Sequence, residues 1–194
     1  MRGRGEDDRF EAAETDRRGA EATVEVVGGD GDRRVIKRRV PKRYRHPALD
    51  RSLRRDRTVS EARLTSEARR AGVPTPLVYD VDVANATLTL QYVGDRDLAA
   101  DLDARWTAAV GRHLARLHDA GIVHGDPTTR NVRVAPDGDP ETFLVDFGLG
   151  YHTGHVEDHA MDLHVFEGAV RATATDPDPL VEAFETAYDE RGDA

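Results

Sequence analysis

Three side chains set the chemistry. Asp126 and Asn131 stand in Ile122-Val123-His124-Gly125-Asp126-Pro127-Thr128-Thr129-Arg130-Asn131, and Asp146 follows in Asp146-Phe147-Gly148, fifteen residues after Asn131. Phosphoryl transfer needs such a set: one carboxylate orients a hydroxyl or water, while an amide and a second carboxylate hold Mg2+ against nucleotide phosphates. Magnesium keeps waters and phosphate oxygens in its shell, so a few hard oxygen ligands suffice, and Asp146 and Asn131 supply them. Asp126 is then the proton acceptor, Asp146 the first metal ligand and Asn131 the second. Upstream, Lys37 in Val35-Ile36-Lys37 is placed for the α/β-phosphates, with Glu61 as its acidic partner. Asp is also common in turns and caps, and Thr58-Val59-Ser60-Glu61 matches a helix capping box. The ordered set Lys37, Glu61, Asp126, Asn131 and Asp146 weighs against both readings.

The elements that position these residues are legible from periodicity. Thr23 to Val27 and Arg34 to Val40 alternate around a Gly/Asp turn and predict a β-hairpin carrying Lys37. A helical pattern from about Leu49 to Ala71 carries Glu61 and ends at Gly72. Leu77 to Val81 and Thr87 to Val93 complete a β-rich first half, with Gly94 at the turn into the second. From about Asp103 to Ala120, Trp106, Val110, Leu114 and Leu117 recur at helical spacing and predict a core stripe, with His113 and His118 structural or solvent-facing. A second hairpin, Asn131 to Ala135 and Glu141 to Asp146, carries Asn131 at one end and Asp146 at the other, so pairing brings them together. Two helices, about Glu157 to Ala172 and Pro179 to Glu190, close the chain. There is no Gly-x-Gly-x-x-Gly, so the phosphate cover falls to the Gly19-Ala20-Glu21-Ala22 turn, whose backbone N–H groups can cradle phosphate.

The 194 residues allow one large domain or two small lobes around one cleft. We divide the chain into a mobile arm over 1–18, a first lobe over 19–93 and a second over 94–194. With no cysteine, disulfides and thiolate metal sites are excluded. No apolar run approaches the roughly 18 residues of a membrane span, and the first residues lack a signal-peptide core, so a cytoplasmic protein is expected. Net charge is −9, with 37 acidic and 28 basic residues, of which only Lys37 and Lys42 are lysines. Against that background, twelve Lys or Arg fall between Arg33 and Arg57 with only two acids. Such a block is either a solvated face or a contact for an RNA backbone, which gains affinity by releasing condensed counterions. His155-Val156-Glu157-Asp158-His159 is not a zinc motif, because the Glu is misplaced. His152, His155, His159 and His164 are expected to face solvent.

The same residues closely resemble the small atypical kinase and ATPase subunit of the KEOPS complex, which is related to RIO kinases. The matching phrases include Gly19-Ala20-Glu21-Ala22, Ile36-Lys37, Lys42-Arg43-Tyr44-Arg45-His46-Pro47, Arg57-Thr58 with Glu61-Ala62-Arg63-Leu64, and Gly72-Val73-Pro74-Thr75-Pro76. Further on come His124-Gly125-Asp126 with Thr128-Thr129 and Asn131, Asp146-Phe147-Gly148-Leu149-Gly150, and Glu157-Asp158 with Asp162-Leu163. Abundant Asp and scarce Lys resemble proteins of salt-loving microbes. The resemblance implies an α+β, two-lobed protein-kinase-like fold with a β-rich N-lobe and a reduced, mainly helical C-lobe. It implies ATP and Mg2+ as cofactors, serine/threonine autophosphorylation in isolation, and ATP hydrolysis in a complex that makes threonylcarbamoyladenosine in tRNA. Lys37, Asp126 and Glu61 are its catalytic residues and Asn131 and Asp146 its metal ligands. Nucleotide contacts fall to Lys37, Gly19, Ala20, Glu21, Ala22, Gln91 and Val93.

Expected partners are the synthase subunit on the C-lobe, a small regulatory subunit on the N-lobe, and tRNA through the Arg-rich 33–57 segment. The length corresponds to a stand-alone kinase chain, not the fused archaeal form. The chain departs from the family at Pro127 (usually Leu), His159 (usually Lys) and Gly168 (a helix position tending to Arg), and in lacking a basic C-terminal tail. The alternatives are a divergent paralogue acting as a small-molecule phosphotransferase of the aminoglycoside or choline type, or a non-catalytic nucleotide-binding scaffold.

Overall fold

The computed structural model describes residues 17–18, 21–29, 31–135 and 142–190. Most of the expected arm, together with Gly19 and Ala20, lies outside the described residues. Arg17 and Arg18 form a short strand, β1, paired antiparallel with β2 (Ala22–Val27). A glycine turn leads from β2 to β3 (Arg34–Arg39). A Cβ on Gly28, whose φ is +95°, would stand 2.3 Å from the Asp32 carbonyl oxygen, so only glycine fits there. Register pairs Val24 with Lys37 and Val26 with Val35, which puts these four side chains on one face of the sheet.

The long helix α1 (Pro47–Arg70) starts where proline suits the first turn and His46 Nδ1 accepts from Ala48 N at 3.3 Å. It therefore begins slightly earlier than the apolar period suggested, and Thr58 to Glu61 lie inside it, so the capping-box reading of Glu61 fails. Val73 N donates to Ala68 O, and Gly72 turns the chain out with φ +83°. Strands β4 (Val78–Asp82) and β5 (Thr87–Gln91) finish an antiparallel sheet of order β1-β2-β3-β5-β4. Ala62 of α1 packs on Leu88 and Leu90 to make a small first core.

Gly94, with φ +61°, carries the chain into the second half so closely that a Cβ would lie 2.8 Å from Val134 O. There follow β6 (Arg96–Asp97), α2 (Ala104–Asp119), β7 (Ile122–Val123), β8 (Val132–Val134), β9 (Thr142–Leu144), β10 (Tyr151–His152), α3 (Val156–Thr173) and α4 (Asp178–Asp189). The β8–β9 hairpin forms as its alternation predicts, with β6 on the far side of β8, while β10 pairs with β7. Trp106, Val110, Leu114 and Leu117 are buried as expected, against Phe166, Val170, Val181 and Phe184. Side chains of this size contribute roughly 1.5–3 kcal/mol each on full burial. Leu64 and Ala68 of α1 belong to this second core, so one helix serves both. Gly111 of α2 lets α4 approach until a Cβ would stand 2.3 Å from Phe184 O. Gly168 does not break α3; it sits on the exposed side, where nothing would meet a Cβ.

Candidate active site

β3 and α1 bring Lys37 and Glu61 together across 24 residues of sequence: Lys37 Nζ donates to Glu61 Oε1 at 2.7 Å. The same ammonium lies 2.7 Å from Asp146 Oδ1. Burial opposes the charge on Lys37, but the two carboxylates outweigh it and hold its pKa above the ordinary lysine value. Burial likewise opposes the charge on Asp146, and Lys37 outweighs it, keeping that carboxyl below its usual range. Asp146 has φ +66°, a left-handed backbone uncommon outside glycine. Gly148 N donates to its Oδ1 at 3.2 Å.

Asp126 and Asn131 share the loop between β7 and β8. Asn131 Nδ2 donates to Asp126 O at 2.8 Å and to Asp126 Oδ2 at 3.0 Å, fixing the amide so that its oxygen faces away from Asp126. Val145 N donates to Asn131 O at 2.9 Å, which seats the Asp146 turn beside the loop. Thr128 N donates to Asp126 O, and Asn131 N to Thr128 O, so the loop is hydrogen-bonded on both sides of Pro127. Burial raises the Asp126 carboxyl above its ordinary pKa, against the hydrogen bond from Asn131.

The loop is anchored from behind by residues to which the sequence analysis gave no role. Asp162, on α3 and 1 % exposed, accepts from His124 N at 2.7 Å and Gly125 N at 2.9 Å. His118 Nε2 stands 3.2 Å from Asp162 Oδ2, and its Nδ1 stands 2.8 Å from Tyr188 Oη on α4. The His124 ring, held neutral by burial, accepts from Asp126 N at Nδ1 and meets Val145 O at Nε2. The signal for Asp162 was its place one and two turns before Phe166 and Val170, a lone acid on an apolar stripe. Arg39, bonded to Glu61 Oε2 at 2.6 Å, had no distinguishing signal among twelve neighbouring cations.

A cleft of about 340 Å3 opens on these groups. Val24, Val26, Val35, Leu90 and Val145 give it apolar walls; Gln91, Tyr92, Val93 and Asp95 line it, and Lys37, Glu61, Asn131 and Asp146 form the polar group at one end. Arg133 also lines it and donates to Gly94 O at 3.0 Å. Asp126 is joined to this lining through Asn131. Glu21 and Ala22 are not part of it: the Glu21 carboxylate accepts from Arg57 at 2.8 Å, and Ala22 sits buried in β2 opposite Arg39. An apolar slot ending in one cation, two acids and an amide fits a planar base and a charged phosphate tail. Among the described residues no three of His, Cys, Asp and Glu converge as a metal cage. The oxygens of Asp146 and Asn131 form the partial ligand set that Mg2+ accepts when phosphates complete its shell.

His113 and His118 are both buried. His152, His155 and His164 are exposed as expected, but His159 is half-buried, stacked on His118 with ring centroids 4.4 Å apart, because the flat ring covers a neighbouring ring where a longer amine would reach for water.

The chain is 64% identical over 178 residues, 92% of its length, to a protein of Halobacterium salinarum called a probable bifunctional tRNA threonylcarbamoyladenosine biosynthesis protein. Proteins of the same name from Haloquadratum walsbyi and Methanosarcina mazei are 61% and 42% identical over 90% and 88% of it. The chain is thus similar to one portion of these proteins. It spans about a third of the length of these curated relatives, 30–32%. No family model matches the chain. Among solved structures, the Rio2 kinase of Chaetomium thermophilum superposes with a TM-score of 0.67 at 18% identity, covering 93% of this chain and 63% of that one. Its ADP/Mg2+-phosphoaspartate complex gives 0.65 at 16%, covering 96% and 68%. The fold is therefore protein-kinase-like and two-lobed, with a β-rich N-lobe and a reduced helical C-lobe. No helix among the described residues is long and apolar enough to cross a membrane.

Proposed function

We propose that the chain binds Mg-ATP in the cleft and transfers or hydrolyses the γ-phosphoryl group in support of tRNA threonylcarbamoyladenosine synthesis. The observation that carries this reading is Lys37 bridging Glu61 and Asp146 at 2.7 Å each beside the Asn131–Asp126 bond. Lys37 turns to the α/β-phosphates, and Glu61 keeps it there. Asp146 and the amide oxygen of Asn131 would hold Mg2+, which when bound would neutralise charge on the phosphates. Asp126, its pKa raised by burial, accepts the proton of an attacking water or of a serine or threonine hydroxyl. Backbone groups of Gln91 and Val93 meet the base. ADP/Mg2+ in the Rio2 complex supports the cofactor assignment.

The relatives are called bifunctional, and this chain matches only a third of them. We assign the partner synthase to the remaining part and dock it on the C-lobe, with a small regulatory subunit on the N-lobe. The test is phosphate release by the purified chain with Mg-ATP, alone and with tRNA and the synthase partner. Asp146→Ala is expected to lower turnover by at least about a hundredfold, since it removes the metal's charged ligand. Unchanged hydrolysis by that variant would sink the site assignment.

A further inference from the structure

Arg39 stands two residues beyond Lys37 on β3, so both side chains leave the strand on the same face. Both are buried, at 6 % and 8 % exposure. They take the same carboxylate from its two oxygens: Lys37 Nζ donates to Glu61 Oε1, and Arg39 Nη2 donates to Glu61 Oε2 at 2.6 Å. The guanidinium also borders the Asp146 turn. A Cβ on Gly148 would lie 2.9 Å from Arg39 Nη2 and 2.9 Å from Asp146 Oδ1. Arg39 N donates to Ala86 O at 3.0 Å, fixing the end of the strand. Two cations and two carboxylates thus share one corner in which Glu61 is 1 % exposed.

A carboxylate this deeply buried is costly to leave without a cation. In the ligand-free site Lys37 serves both Glu61 and Asp146. Phosphates entering the cleft draw on the charge of Lys37, and if Lys37 were the sole cation on Glu61, that carboxylate would resist the sharing. Arg39 removes the resistance. We propose that Arg39 is a positioning residue for nucleotide binding: by neutralising one oxygen of Glu61 it lets Lys37 direct its charge to the phosphates while Glu61 still holds it in register. The inference rests on the Mg-ATP reading above; Arg39 itself touches neither nucleotide nor metal.

The experiment compares two replacements in the full chain. Arg39→Met keeps length without charge, and Arg39→Lys keeps charge without the fork. Mg-ATP affinity is read by titration calorimetry, and folding by thermal denaturation without ligand. Arg39→Met is expected to weaken Mg-ATP roughly tenfold, within the coupling range for neighbours in one ion-pair network. KM rises with it and kcat stays within about twofold, as for lost ground-state and transition-state binding alike. Arg39→Lys retains affinity within about threefold, the guanidinium fork being the part it lacks. Arg63→Met, the same charge change on the exposed side of α1, binds like wild type. Should Arg39→Met unfold in plain buffer, the titration is run in trimethylamine N-oxide, which favours the compact state, with wild type alongside. A folded Arg39→Met that binds like wild type overturns the inference, and so does a loss that Arg39→Lys fails to rescue, because packing would then be the cause. A wild-type chain that takes up no Mg-ATP overturns the nucleotide reading and this inference together.

Discussion

Asp162 holds two consecutive backbone N–H groups of the loop that carries Asp126, and His118 braces Asp162 in turn. Fixed backbone contacts of this kind set the position of the loop, and the Asn131 amide then orients the Asp126 carboxylate on it. His113 Nε2 lies 2.9 Å from Thr142 Oγ1, while burial pushes its pKa down to about 4. With a folded pKa below the unfolded value near 6.5, the unfolded chain binds the extra proton between those limits. The stability that neutral His113 contributes is therefore complete above pH 6.5 and lost as pH falls toward 4. Up to about 3 kcal/mol is at stake by linkage. Thermal denaturation from pH 7 to 4 is expected to show a smaller drop for His113→Gln than for wild type. The five chemical residues were legible because each needs a specific atom type at fixed spacing. Arg39 and Asp162 were not, since their roles arise from what folding brings beside them.

At the scale of elements, the Arg-rich 33–57 segment divides along α1 and β3. Arg54 Nε donates to buried Asp50 at 2.8 Å, Arg57 meets Glu21, and Arg39 meets Glu61, so these cations are engaged within the fold. Arg51 and Arg55, one turn apart on α1, are exposed and have no ion pair among the described residues. The expected outcome is that Arg51→Ala and Arg55→Ala each weaken tRNA stimulation of ATP hydrolysis and lower its dependence on salt, by about one unit of the log–log slope per lost phosphate contact. Arg54→Ala instead lowers the melting temperature, because buried Asp50 loses its partner. Assay across a salt series separates the two. Sequence could count these charges but not sort them, because a helix face is assigned only when its neighbours are known. Helix ends were legible to within a few residues from the apolar period of α1, Asp103 and Gly72, whereas the two-residue strands β6, β7 and β10 are too short to carry a period.

For the whole molecule, the kinase-like architecture was legible through the family resemblance that the motifs carry, with hairpin and helix periods placing the elements; the sharing of α1 between cores was not, because Leu64 and Ala62 look alike in a sequence. Ligand binding should register globally. Mg-ATP at a hundred times its dissociation constant is expected to stabilise the fold by about 2.7 kcal/mol. That corresponds to a rise in melting temperature of roughly 5–10 °C for a chain of this size. Chelation of Mg2+ should abolish most of the rise, as should Asp146→Ala, and differential scanning fluorimetry reads both. A shift independent of Mg2+ would contradict the metal assignment.

The shared helix has a further consequence for control. Many phosphotransferases of this architecture are idled by swinging the helix that bears the lysine's acidic partner away from the strand. Here Ala62 faces one core, while Leu64 and Ala68 are set in the other. His152 Nε2 of β10 lies 3.0 Å from Glu67 Oε2 of the same helix. Moving Glu61 away from β3 would therefore disturb both cores, so the placement of the lysine's acidic partner is set by the packing of the whole molecule.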